Sequence, residues 1–343
     1  GCSVNAPLQV SGNDYVGGVT GRGNGAYIAQ SNADNLQKIS YWKNNVYEVG
    51  SVQVIDSSLT GLSSVTGNDY VGGIAGSMGT ASVAGLLNTT LGVASYVHVN
   101  GTGNGFTVTG NERVGGGFGD AIGGSITTVS IDNLASIEGN NLVGGFIGLS
   151  GPGDLAGTDG GLTVNLLGLN YLLKLNNLLS LGQAIEVKIN KVNVNGATNG
   201  FTVHANGSRD SNSVRDYSAS GFIAKSGSTK VEDSHVTNLK SVKAADDGGY
   251  ASGFVAISKT GGLADVADDT SIKSLIEANG LVNAVGYLIP SYQQCYVSYV
   301  DNGGVRGDIA GGFVGDFQSG IVENDENNAY AIQNISYVKG KTY

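Results

Sequence analysis

Three histidines, His98, His204 and His235, are the only imidazoles in the chain. They share no spacing that would bring metal ligands together, and each reads as a surface or turn-facing side chain of a strand-like segment. Acidic residues gather at Asp246-Asp247, at Asp265 to Asp269 and at Asp316 to Glu326. A paired-carboxylate glycosidase needs two acids facing one cleft, whereas these sit in turns beside Gly and Asn. Hard oxygen ligands for Ca²⁺ abound, but no Asp-x-Asp-x-Asp-Gly loop with its distant Glu is present. No Gly-x-Ser-x-Gly elbow stands between a strand and a helix. Cys2 and Cys295 are the only cysteines, and neither lies in a CxxC or beside a histidine at metal spacing. No catalytic, cofactor-binding or metal-binding residue is therefore assigned, and no cofactor is expected. Asn88, Asn100, Asn206 and Asn334 each open an Asn-x-Ser/Thr acceptor, which matters only in a host that glycosylates such sites.

The elements that would position any such chemistry are written in the glycines. The 343 residues include 57 Gly and only 3 Pro, and charged residues make up 13%, about half the usual share. Asn, Ser, Thr and Gly supply the polar surface instead, a composition common in secreted β-rich proteins. With 40% hydrophobic residues a sizeable core is available. The net charge of −10, with Lys and Arg scattered, excludes the concentrated basic footprint of a nucleic-acid binder. No apolar run reaches the ~18 residues that read as a membrane-spanning helix, so no transmembrane segment is expected.

One motif recurs seven times. It appears as Tyr15-Val-Gly-Gly-Val-Thr-Gly21, Tyr70-Val-Gly-Gly-Ile-Ala-Gly76, Val114-Gly-Gly-Gly-Phe-Gly119 and Leu142-Val-Gly-Gly-Phe-Ile-Gly148. It returns as Ser218-Ala-Ser-Gly-Phe-Ile-Ala224, Tyr250-Ala-Ser-Gly-Phe-Val-Ala256 and Ile309-Ala-Gly-Gly-Phe-Val-Gly315. Its register glycines are Gly18, Gly73, Gly116, Gly145, Gly221, Gly253 and Gly312, and their shortest steps are 29 and 32 residues. A period near ~30 suits a solenoid coil of short strands joined by turns. The longer steps are that unit plus an insertion. Repeating small residues let another layer approach closely, and the large apolar residue that follows points into the core. Ser11 to Gly18 nearly repeats at Thr66 to Gly73, and Val99 to Val108 nearly repeats at Val194 to Val203.

The expected fold is mainly β: a parallel, right-handed β-solenoid, or β-helix, of about seven to eight coils forming a single domain over residues 1–343. Leucine-rich insertions near 83–94, 155–183 and 263–291 show helical spacing. They are expected to be helices packed on one face, with Asp268 to Ser271 capping the third, and each is followed by a strand-like segment. Cys2 lies 16 residues before Gly18 and Cys295 lies 17 before Gly312. The two thiols should therefore occupy equivalent positions many coils apart, beyond disulfide reach.

The segments Gly311-Gly-Phe-Val-Gly315, Ser319-Gly-Ile-Val-Glu-Asn324 and Ile335-Ser-Tyr-Val-Lys-Gly340 resemble the GLUG-type glycine-rich repeats of large bacterial surface proteins. Ser226 to Val236 fits the same middle strand. The resemblance covers most of the chain outside the insertions, with Ser220 and Ser252 as departures. It implies a β-helical region at the cell surface or outside the cell, with no activity of its own: a structural or adhesive module, an adhesin or stalk. The alternative function is a polysaccharide-binding or polysaccharide-cleaving β-helix. The final residues repeat the lead-in of earlier motifs, so both ends are expected to be open. They would be completed either by end-to-end self-association into a filament or by continuation in a longer chain. A surface glycan or protein is the expected external partner.

Overall fold

In this computed structural model the described residues are 2–23, 53–79, 93–151, 186–207, 217–259, 289–324 and 331–341. They form three sheets of fourteen, seven and seven strands, called here A, B and C, and every recorded strand pair is parallel. The chain visits A, B and C in turn and then returns to A. One turn of this path, or rung, runs through Gly124–Gly139 in A, Leu142–Gly144 in B and Ile147–Gly151 in C. The next passes through Val187–Gly196 and Phe201–Ala205, then Tyr217–Ser220, then Ile223–Gly227. Each rung pairs with the one before it, so equivalent residues line up in columns spaced ~4.8 Å apart.

The seven register glycines form one such column. A Cβ on Gly18 would run into the carbonyl oxygen of Gly73, and the same holds from Gly73 to Gly116, Gly116 to Gly145, Gly145 to Gly221, Gly221 to Gly253 and Gly253 to Gly312. The backbone explains the demand: Gly73 N–H donates to the Gly116 carbonyl at 3.1 Å, and Gly18 N–H to Gly73 at 3.2 Å. Chain passes directly over chain here, and no side chain fits between.

The residue after the register glycine fills the interior. Phe146, Phe222, Phe254 and Phe313 stack successively, with ring centroids 5.1, 4.5 and 4.7 Å apart. The triple glycine at Gly115 to Gly117 is the instructive departure. A Cβ on Gly117 would meet the Phe146 ring at 2.6 Å, so that ring occupies the place of a side chain, and Phe118 enters the core one residue later. Elsewhere the core is aliphatic and columnar, as in Val65, Val108, Ile137, Val203, Val242 and Val305, all fully buried. Each such side chain contributes ~1.5–3 kcal/mol through burial.

The long strands of sheet A bend twice. The first bend is a column of six non-glycine residues in the left-handed region: Asp56, Tyr96, Thr128, Lys191, Asp233 and Gln294, with φ between 45° and 56°. The second bend is made by Gly61, Asn133, Asn238 and Asn302. In two rungs a short loop replaces it, closed by Gly105 N–H to Thr102 O and by Gly200 N–H to Ala197 O, both 2.8 Å. The repeated segments Val99 to Val108 and Val194 to Val203 are therefore two copies of one looped corner. The corner from A to B carries an asparagine ladder, in which Asn68 Nδ2 donates to Asp14, Asn111 Nδ2 to Asp69, and Asn140 Nδ2 to the Asn111 side chain.

Sheet C returns to sheet A across a single residue in two places, at Gly123 and Ser228, both at positive φ. The three apolar insertions also fall at this passage, after Ala75–Gly79, Ile147–Gly151 and Val255–Lys259. The strands that follow the first and third begin at Val93 and Ser291, inside the bounds expected for those insertions. The helices expected there, with the cap at Asp268 to Ser271, lie outside the described residues. No described helix is long and apolar enough to cross a membrane.

Candidate functional site

Alternation in sheet A sends every second side chain outward, so two outward columns stand side by side on one face. The first contains Ser58, His98, Ser130, Asn193, His235 and Tyr296. The second contains Thr60, Asn100, Asp132, Asn195 and Thr237. Between them the buried Leu59, Val99, Ile131, Val194 and Val236 anchor the strands in the core, and Val97, Val129 and Val192 do so on the other side of the first column, which holds the outward groups on a stiff frame.

The two columns form a hydrogen-bonded strip. His98 Nδ1 lies 2.6 Å from Ser130 Oγ and 3.5 Å from Asp132 Oδ2. Asn195 Nδ2 donates to Asp132 Oδ1 at 2.9 Å, and Asn133 Nδ2 donates to Asn100 Oδ1 at 2.8 Å. Further along, His235 Nδ1 lies 3.1 Å from Asn193 Oδ1, its Nε2 lies 3.5 Å from Asp233, and its ring stacks on Tyr296 at 4.1 Å. Burial lowers the His235 pKa from its ordinary value, with the Asp233 carboxylate opposing. Beside Asp132 the surface opens into a groove lined by Asn100, Asp132, Asn133, Asn195, Gly196, Thr198 and Asn238. The lining is amide, hydroxyl and one carboxylate, and it carries no Lys or Arg.

His98 and His235 thus share a column, three rungs apart, although they are far apart in sequence. The signal was present: each lies 18 residues before its own register glycine, Gly116 and Gly253. His204 stands elsewhere on the face, in an outward column running Ser11, Thr66, Thr109, Glu138, His204, Lys243, Arg306 and Lys339. Burial lowers its pKa as well, with Glu138 opposing and Lys243 reinforcing. No group of three or more His, Cys, Asp or Glu able to hold a metal occurs among the described residues.

The acidic clusters separate. Asp246 and Asp247 pair with Arg306 and Lys341 on the surface, and Asp316 accepts from the Gln318 amide. Asp265 to Asp269 and Asp325-Glu326 lie outside the described residues. Two buried acids escaped the sequence reading, Asp120 and Glu186, and Glu186 pairs with Lys188 at 3.0 Å. Asp120, on sheet C, is 3% exposed and held by Arg113 at 2.9 Å. Burial lifts its carboxyl above the usual range despite Ser77 and Arg113. Arg113 in turn covers the Tyr70 ring, which stacks on Tyr15 at 4.5 Å. Of the four Asn-x-Ser/Thr acceptors, Asn88 lies outside the described residues, and Asn100 is engaged by Asn133.

No family model, curated protein or solved structure matches the chain.

Proposed function

We propose that the chain is a right-handed parallel β-solenoid of seven to eight coils. It acts as an extracellular structural or adhesive module of the GLUG-repeat type, not as an enzyme, and it either associates end to end or continues in a longer chain. The glycine column and the constant A–B–C order support the solenoid reading. The uncharged, Asn- and Ser-rich surface supports an extracellular place.

The observation that carries the functional reading is that, among the described residues, the apolar columns of sheet A end on exposed side chains at both outer strands. One column runs from Val10 through Val65 and Val305 to Val338, and Val338 is 44% exposed. Another runs from Val4 through Leu59 and Val297 to Ile332, and Val4 is 45% exposed. An unpaired strand edge with exposed apolar side chains is a template for pairing with another chain. Val338 on one copy would continue onto Val10 of the next, in the same register that the interior columns keep. Such an open heterologous contact produces filaments, not rings.

Sedimentation velocity and negative-stain electron microscopy over a range of concentrations test this. Rods of constant width and growing length are expected, shortened by Val338→Lys. A protein that stays monomeric at every concentration would overturn the self-association.

Polysaccharide cleavage, the competing function, asks for a second carboxylate or a base across the groove. Its lining contributes Asp132 as the one carboxylate, which favours binding over cleavage.

A further inference from the structure

The groove and the strip beside it have a chemistry that the end-to-end reading does not use. Asp132 sits at the centre, with Asn195 on one oxygen and His98 near the other. Each carboxylate oxygen has a second lone pair, and each amide offers two donors and an acceptor. Planar polar groups of this kind, fixed side by side, match pairs of neighbouring hydroxyls. Aromatic side chains mark both ends of the strip. Tyr296 stacks on His235 at one end, and Tyr96, 62% exposed, projects from the bend beside His98 at the other.

We infer that this strip is a binding groove for a neutral, extended glycan lying along the stacking direction, across successive rungs. Three observations select that ligand class. The groove lining contains no Lys or Arg to hold an acidic sugar or a phosphate. Its lining is polar throughout and its aromatic rings, Tyr96 and Tyr296, stand only at the ends of the strip, so it lacks the central buried anchor of a protein interface. The polar groups also repeat at the rung spacing of ~4.8 Å, close to the length of one sugar unit in an extended chain, so consecutive units meet equivalent rungs. Asn195 and Asp132 supply hydrogen bonds to hydroxyls, and the Tyr296 ring supplies the apolar platform for a pyranose face. The frame is already rigid, so little ordering cost accompanies binding.

The inference goes beyond the structural reading and stands without end-to-end association. Its test uses the whole chain titrated by calorimetry with cellohexaose, laminarihexaose, xylohexaose and mannohexaose, and with hexagalacturonate as the acidic comparison. At least one neutral hexasaccharide is expected to bind, its trisaccharide more weakly. Asn195→Ala and Tyr296→Ala should each weaken binding about ten-fold, the scale of one lost contact. Thr66→Ala, in the outward column that carries His204, should leave binding unchanged. Circular dichroism and thermal melting establish that each variant folds. Binding of none of the neutral sugars, equal or better binding of hexagalacturonate, or affinity untouched by both groove variants would overturn the inference. Sedimentation of the same groove variants keeps the two readings apart: a protein that binds glycan but remains monomeric fails only the end-to-end reading.

Discussion

Cys2 and Cys295 stand in one column of sheet A, joined through Ser57, Val97, Val129, Val192 and Ser234. Six rungs at ~4.8 Å separate them by ~29 Å, and both thiols are free. Their surroundings differ sharply. Cys2 is exposed, whereas Cys295 is buried and points its sulfur at the Gln293 carbonyl, 3.1 Å away. Burial pushes the Cys295 thiol up to about 12.

The first prediction follows from that contrast, because the thiolate is the reactive form. At pH 8 a maleimide should label Cys2 in the native protein and reach Cys295 only after denaturation. Peptide mapping of labelled native protein checks this. Native labelling of Cys295, or a Cys2–Cys295 disulfide within one monomer, would contradict the shared column.

A second prediction concerns the glycine column. A Cβ on Gly145 would collide with the carbonyl oxygen of Gly221, a backbone atom with no freedom to swing aside. Gly145→Ala should therefore destabilise by ~3 kcal/mol or more, at the upper end of overpacking costs. Gly103 has nothing within 4 Å of where a Cβ would stand, so Gly103→Ala should be close to neutral. Denaturant unfolding of both variants decides the matter, and similar midpoints would remove the close-approach explanation.

Much of this fold was legible because the motif glycines are required by backbone contact, and such a requirement leaves only one residue type. The column Gly18 to Gly312 and the place of Cys2 and Cys295 both follow from it. The bends of sheet A were not legible. Tyr96, Thr128 and Lys191 hold a left-handed backbone that their residue types disfavour, and only pairing with the rungs above and below keeps them there. The strip was hidden for another reason. The looped corners at Gly101 to Gly105 and Gly196 to Gly200, together with the longer connection between Ala205 and Tyr217, change the length of individual rungs, so His98, Ser130 and Asn193 lie 18, 15 and 28 residues before their own glycines. Asp120 lay one residue beyond a motif, Val114 to Gly119, read for its glycines and Phe118.

The third prediction is a pH dependence. Burial lowers the pKa of both His204 and His235 from its ordinary value. The unfolded chain takes up these protons at a higher pH than the folded one, so stability rises with pH across that interval. The histidine contribution is complete above the ordinary histidine pKa of ~6.5 and is lost as pH falls through the lowered folded values. Thermal unfolding should show the melting temperature dropping between pH 7.5 and pH 5, with a shallower drop in the double variant His204→Gln, His235→Gln. An unchanged slope in that variant would assign the pH effect to other groups.

The last prediction tests the strain in the bend column. Thr128 has φ 55°, a conformation that costs an L-residue ~1–2 kcal/mol and is least suited to a β-branched side chain. Two other members of its column, Asp56 and Asp233, each two rungs away, belong to a type that tolerates this region through local hydrogen bonding. Thr128 faces outward and is half-buried, so its replacement disturbs no core contact. Thr128→Asn should stabilise by about 1 kcal/mol, raising the melting temperature by about 1–3 °C in a chain of this size. Thr128→Gly should gain less, because glycine also adds freedom to the unfolded chain. Thr128→Val keeps the β-branch and loses only the hydroxyl, so it should change little. If Thr128→Asn lowers the melting temperature, or if Thr128→Val matches its gain, backbone strain is not what the substitution relieves, and the bend is held by side-chain packing instead.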